Sequence, residues 1–136
     1  MKLLLVRHGQ TIANTMGALD TDFPGNSLDP TGLSQAASLP DLLGADRLGG
    51  ISSLWTSPIA RARQTIAPLE GVTGLMASID SGLREVLAGD LEMCTDARSV
   101  ACYADTTRAW MIGRTAARLP GSPEDGAHTF ARFDAA

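Results

Sequence analysis

The chain is predicted to be an α/β domain with a mostly parallel central sheet flanked by helices. Three observations point there. A short, unbroken apolar run, Leu3-Leu4-Leu5-Val6, has the make-up of a strand buried on both faces. Strand-like and helix-like segments then alternate along the chain, which favours parallel crossovers. Finally, 136 residues that are 44% hydrophobic and 19% charged suffice for one domain with a core, but not for two.

The elements follow in order. Leu3–Val6 ends abruptly in Arg7-His8-Gly9-Gln10-Thr11, and a loop rich in Gly, Asp, Asn and Pro runs to Pro30. Thr31 is expected to cap a helix to about Leu43, packed through Leu33, Ala36, Ala37, Leu39 and Leu42, with Pro40 kinking it or ending it early. A second strand is expected from Ile51 to Trp55 or Thr56. It leads into Ser57-Pro58, an N-cap with proline at the first helical position. The helix after it carries Ile59, Ala62 and Ile66 as its apolar stripe and stops near Pro68 and Gly71. Gly74 to Ile79 is a weaker third strand, and Asp96 to about Leu119 has the spacing of one long helix. Pro120-Gly121-Ser122-Pro123 is a turn, and a last helix begins near Gly126. Trp55, Tyr103 and Trp110 are assigned to core packing.

Charge and composition exclude several functions. Eleven basic against 15 acidic side chains leave a net charge of −4, the wrong sign for a nucleic-acid surface. No apolar run approaches the roughly 18 residues of a membrane span, and Arg7 and His8 interrupt the apolar start too soon for a signal peptide. A cytoplasmic location is therefore expected. Cys94 and Cys102 lack the spacing of a zinc site or disulfide framework, and two histidines, His8 and His128, argue against a multi-histidine metal centre.

Ligands of open α/β sheets bind beyond the carboxyl ends of the strands, and polar residues gather at two such places. At the first, Arg7 can neutralise phosphoryl oxygens. Neutral His8 can attack phosphorus through one ring nitrogen while a hydrogen bond holds the other, and Gly9 allows close backbone approach. Thr11 and Asn14 add donors nearby. A plain strand ending explains Arg7 and His8 equally well, and the triplet alone does not decide. At the second, the helix after Ser57-Pro58 offers free N–H groups for an anion, with Arg61 in its first turns and Arg63 turned to solvent. Glu85, after the third strand, can protonate a leaving oxygen, although taken alone it reads as a surface carboxylate.

Taken together, these segments resemble the histidine phosphatase superfamily, the phosphoglycerate mutase-like group. Arg7-His8-Gly9-Gln10-Thr11 with Asn14 is similar to its signature. Leu28 to Ala36 resembles its L-T-x-x-G-x-x-Q-A stretch, and Ser57-Pro58 through Thr65 its S-P-x-x-R-A-x-Q-T. Leu83-Arg84-Glu85 with Gly89 and Glu92 resembles its L-x-E…G-x-x-E, and Leu119-Pro120-Gly121 partly matches its P-G-G-E-S. The likeness runs from Met1 to Ala136. It implies that His8 becomes phosphohistidine, that Arg7 and Arg61 clamp the phosphoryl group with Asn14 assisting, and that Glu85 is the general acid. It implies no metal or organic cofactor, and a small-molecule phosphate ester as partner. A phosphatase is the leading expectation. A phosphoglycerate mutase-type transfer and a weak or inactive phosphate-binding domain are the alternatives.

One family feature is missing. The resemblance implies a second histidine in a His-Gly ending a later buried strand, and no such segment occurs here. His128, at a helix start and without a following Gly, is expected to be an ordinary helix-surface residue. Residues 1–136 are accordingly expected to form a single incomplete domain, cut before that strand, with a helical insert over about 93–121. An apolar flank beside Leu3–Val6 would then be exposed, favouring a homo-oligomer, and catalysis would be weak.

Overall fold

The computed structural model describes residues 2–136. Its elements are α1 (Ile12–Met16), α2 (Pro30–Ala37), α3 (Leu39–Leu48), β1 (Trp55–Thr56), α4 (Ala60–Thr73), β2 (Ser78–Ile79), α5 (Ala97–Met111) and α6 (Gly126–Asp134). The architecture is α/β. β1 and β2 pair in parallel, Trp55 opposite Ser78 and Thr56 opposite Ile79, and helices flank them.

The expected first strand is a correction. Among the described residues Leu3–Val6 joins no ladder, and its side chains are exposed, from 44% at Val6 to 85% at Leu5. An extended run is buried on both faces only when strands flank it in the sheet and helices cover it. β1 pairs with β2 along one edge, Ser78 and Asp80 N–H groups donating to the Leu54 and Thr56 carbonyls, and Leu3–Val6 makes no backbone bond to its other edge.

Helix boundaries follow the groups that satisfy the first-turn donors. α2 is capped by Asp29, not Thr31, because the Asp29 carboxylate accepts from Gly32 N at 2.8 Å with Pro30 at the start of the helix. The chain breaks at Ser38, and Pro40 sits in the first turn of α3, which itself kinks at Gly44. α4 starts at Ala60, two residues beyond the expected Ser57-Pro58 start. The Pro24 carbonyl accepts from Ala60 N at 2.9 Å, so a loop supplies the cap that the Ser57 side chain does not. α4 also continues through Pro68 to Thr73 and ends at Gly74, in the left-handed region at φ 70°.

α4 buries one face. Its buried stripe is Arg61, Thr65 and Leu69, at i, i+4 and i+8, and not the expected Ile59, Ala62 and Ile66, of which only Ile59 is buried. α2 packs on α4 through Gly32 and Ala36, while Leu33 and Leu42 of the expected apolar face are exposed.

α5 is shorter than predicted. It is capped by Asp96 and ends at Met111, and Gly113 at φ 87° reverses the chain. Residues 114–119 fold back so that Trp110 Nε1 donates to the Ala117 carbonyl at 2.8 Å, and Trp110 also packs on Gly126 at the start of α6. Trp110 is core as expected, whereas Trp55 is half exposed and Tyr103 is only partly buried.

Candidate active site

The Arg7-His8-Gly9 segment is positioned by backbone contact. A Cβ at Gly9 would lie 2.6 Å from the Gly32 carbonyl oxygen, and one at Gly32 would lie 2.1 Å from that of Gln10. Two main chains thus touch where only glycine fits. Gly9 N donates to Thr65 Oγ1 at 3.0 Å, and Thr65 Oγ1 donates to the Arg61 carbonyl at 2.7 Å. Gln10 N donates to Gln35 Oε1 at 2.8 Å, and the Gln10 amide reaches the Asp29 carboxylate at 3.0 Å. The loop is thereby tied to both α2 and α4.

His8 is half-buried, with Nδ1 2.7 Å from the Gly9 carbonyl oxygen. A carbonyl only accepts, so Nδ1 is the nitrogen that donates, and in the neutral ring this leaves the lone pair on Nε2. Arg7, His8 and Gly9 line one wall of an open groove of about 820 Å³, and Thr31, Gln35 and Leu39 line another.

Arg61 is placed differently. It is 2% exposed, and its guanidinium is held by Asp20, with Nη1 to Oδ2 at 3.2 Å and Nη2 to the carbonyl at 2.9 Å. The same carboxylate accepts from Asn26 N at 3.0 Å, and Gly25, at φ 68°, presses on Nη1 where a Cβ would come within 2.6 Å. Arg61 does not line the His8 groove. Its charge instead reaches the Tyr103 hydroxyl, as do those of Glu85 and Glu92. Arg61 is thus joined to the His8 loop through Thr65, and through Asp20 to the Thr21–Asp22 segment that Glu92 holds.

Asn14 is exposed in the capping box of α1, where its Oδ1 accepts from Thr11 N at 3.0 Å while Thr11 Oγ1 accepts from Asn14 N. Its amide NH₂ remains a donor. Glu85 is exposed on a loop, one carboxylate oxygen accepting from Val86 N at 2.8 Å. The Tyr103 hydroxyl donates to the Val86 carbonyl at 3.0 Å; burial, and then the Glu85 carboxylate, push its pKa well up. Glu92 ties the opposite loop down by accepting from Thr21 N, Thr21 Oγ1 and Asp22 N.

Asp20, Thr65 and Tyr103 escaped the sequence reading. Thr65 was open to detection, since it lies one helical turn from Arg61 on the same face. Asp20 is one acid among several in a loop and carried no signal. His128 lies at the exposed start of α6, with Nδ1 2.7 Å from the Asp125 carboxylate that caps the helix. Among the described residues no three His, Cys, Asp or Glu side chains are grouped to hold a metal ion.

Residues 3–136 match the family model of the histidine phosphatase superfamily (branch 1). The chain belongs to that superfamily. A glucosyl-3-phosphoglycerate phosphatase of Mycobacterium tuberculosis is 34% identical over 113 residues, which is 80% of this chain and 47% of that protein. The PE-PGRS family protein PE_PGRS11 of the same organism is 37% identical over 87 residues, or 64% of this chain and 15% of that protein. The solved structure of mycobacterial glucosyl-3-phosphoglycerate phosphatase complexed with VO3 superposes with a TM-score of 0.70 at 28% identity, covering 93% of this chain and 60% of that one. The chain thus spans less than half the length of these two curated relatives, and about three fifths of the solved structure.

Proposed function

We propose that the chain supplies the nucleophile and phosphate-binding groups of a phosphomonoester phosphatase that works through a phosphohistidine on His8. The observation that carries this reading is the contact of His8 Nδ1 with the Gly9 carbonyl, which in the neutral ring leaves the lone pair on Nε2. Nε2 attacks phosphorus, the bond to the ester oxygen breaks, and Glu85 gives that oxygen its proton. Water then attacks the phosphorus and returns a proton to the Glu85 carboxylate. The P–N bond breaks, and inorganic phosphate leaves. Arg7, beside His8, neutralises phosphoryl oxygens, Asn14 donates from its free amide, and Arg61 completes the clamp when the phosphoryl group draws its guanidinium from Asp20. The partner is a small-molecule phosphate ester, with a phosphorylated sugar acid as the first natural candidate, from the name of the mycobacterial relatives. Among the described residues no helix is long and apolar enough to cross a membrane, and a cytoplasmic site is proposed.

A second reading, a phosphate-binding unit with weak turnover, is favoured by one observation: Arg61 is already engaged by Asp20. Hydrolysis of p-nitrophenyl phosphate by the wild type and by His8→Ala separates the two. The phosphatase reading expects turnover that falls about a thousandfold or more in His8→Ala. Turnover that survives the substitution removes it, and phosphate binding without turnover selects the second reading.

A further inference from the structure

We propose that Arg132, in α6, is the positioning residue for the Glu85 carboxyl; the inference rests on the reading of Glu85 as proton donor. Residues 84–88, which carry Glu85, belong to no helix or strand, so nothing regular sets where the carboxyl sits. Arg132 supplies what the local chain lacks. Its Nη1 donates to the Gly82 carbonyl at 2.7 Å and to the Arg84 carbonyl at 2.9 Å, and its Nη2 donates to the Glu85 carbonyl at 2.9 Å. Its Nε faces both Glu124 oxygens, at 3.1 and 3.0 Å, so four of its five N–H groups are engaged. Glu124 also meets Arg84 Nη2 at 3.5 Å.

Three carbonyls spread over four residues are held by one planar fork, which a lysine ammonium on a flexible stem does not reproduce. The fork is largely shielded, with the Arg132 and Glu124 side chains 15% and 16% exposed, so its charge-assisted bonds are not surface contacts. α6 also lies hard against the loop, since a Cβ at Gly82 would come within 2.4 Å of the Arg132 carbonyl oxygen. Tyr103 holds the Val86 carbonyl, so the Glu85–Val86 and Val86–Leu87 peptide units are pinned, one by α6 and the other by α5. One carboxylate oxygen accepts from Val86 N at 2.8 Å, and the Glu85 side chain stays exposed to solvent.

A proton donor matters in proportion to how poor the leaving group is, which gives a readout that loss of stability does not move. Wild type, Glu85→Gln and Arg132→Lys are compared on β-glycerol phosphate, with an alkoxide leaving group, and on p-nitrophenyl phosphate. Arg132→Lys should lower kcat on the glycerol ester by about tenfold or more and much less on the aryl ester, with KM little changed, in parallel with Glu85→Gln. If Glu85→Gln shows this selectivity and Arg132→Lys does not, the positioning role is overturned while the Glu85 role stands. If Glu85→Gln shows none, the Glu85 reading falls and the inference falls with it. Independently of turnover, amide exchange in peptides covering 83–88 should quicken by about tenfold in Arg132→Lys while α4 stays protected; unchanged exchange overturns the proposal. Glu124→Gln, which removes only the anchor's charge, gives the same comparison should Arg132→Lys fail to fold.

Discussion

Removing the Asp20 carboxylate should unmask a buried cation. In Asp20→Ala the Arg61 guanidinium, whose side chain is 3% exposed, loses its partner at 3.2 Å, and Asn26 N loses its acceptor. Breaking a buried pair from one side generally costs about 3–5 kcal/mol, because an unpaired charge stays out of water. Set against a total stability of about 5–15 kcal/mol, that is a large fraction. Asp20→Asn, which keeps an oxygen for the same two donors, should lose roughly half as much. Urea unfolding read by tryptophan fluorescence measures both variants, since Trp110 is 4% exposed and Trp55 already 54%. Inorganic phosphate supplies the decisive arm. If the Arg61 guanidinium can hold a phosphoryl group, phosphate at a hundred times its Kd for Asp20→Ala should stabilise that variant by about 2.7 kcal/mol, and wild type at the same concentration by less. A loss under about 1 kcal/mol would refute the buried-pair argument, and equal phosphate effects on the two proteins would refute the clamp role of Arg61.

Two further outcomes follow from the geometry. Gly32→Ala should lose about 1–3 kcal/mol despite alanine's better helix propensity, because its Cβ would meet Gln10 main-chain atoms at 2.1 and 2.7 Å; thermal unfolding that matches wild type contradicts this. The Asp125 carboxyl is held at about 2, first by its hydrogen bond to the His128 ring and next by the His128 N–H. A depressed carboxylate pKa stabilises the fold above the ordinary value of 3.8, and that contribution is lost as pH falls through about 2. His128→Ala should move the Asp125 midpoint up toward 3.8 in a carboxyl NMR titration, and an unmoved midpoint would contradict the assignment.

The legible parts of the sequence were those decided locally. The starts of α5 after Asp96 and of α6 at Gly126 are marked by side-chain caps that reach three residues on, Asp96 to Ser99 N and Asp125 to His128 N. What stayed hidden was distant chain or a close choice between neighbours. The α4 start is set by the Pro24 carbonyl far back in the sequence, while the α2 cap turned on Asp29 against Thr31 and the α5 end on Trp110 reaching Ala117. Leu3–Val6 has the composition of a doubly buried strand, but composition does not supply the neighbouring strands that would bury it. Residue type and spacing singled out Arg7, His8, Arg61, Asn14 and Glu85 as candidates, and the roles given to them rest on the family resemblance. Of the groups that hold them, Thr65 was open to detection from its place one turn after Arg61, whereas Asp20, Tyr103 and Arg132 were not, because each acts across a long sequence separation.

The most direct measurement is to quench the protein during turnover of a phosphate ester, under alkaline conditions that preserve phosphoramidates, and to locate the label by peptide mass spectrometry and phosphorus NMR. The account predicts one phosphoryl group, on Nε2 of His8, absent from His8→Ala. A phosphoryl group on another residue, or turnover with no trapped phosphoramidate in either protein, would contradict it.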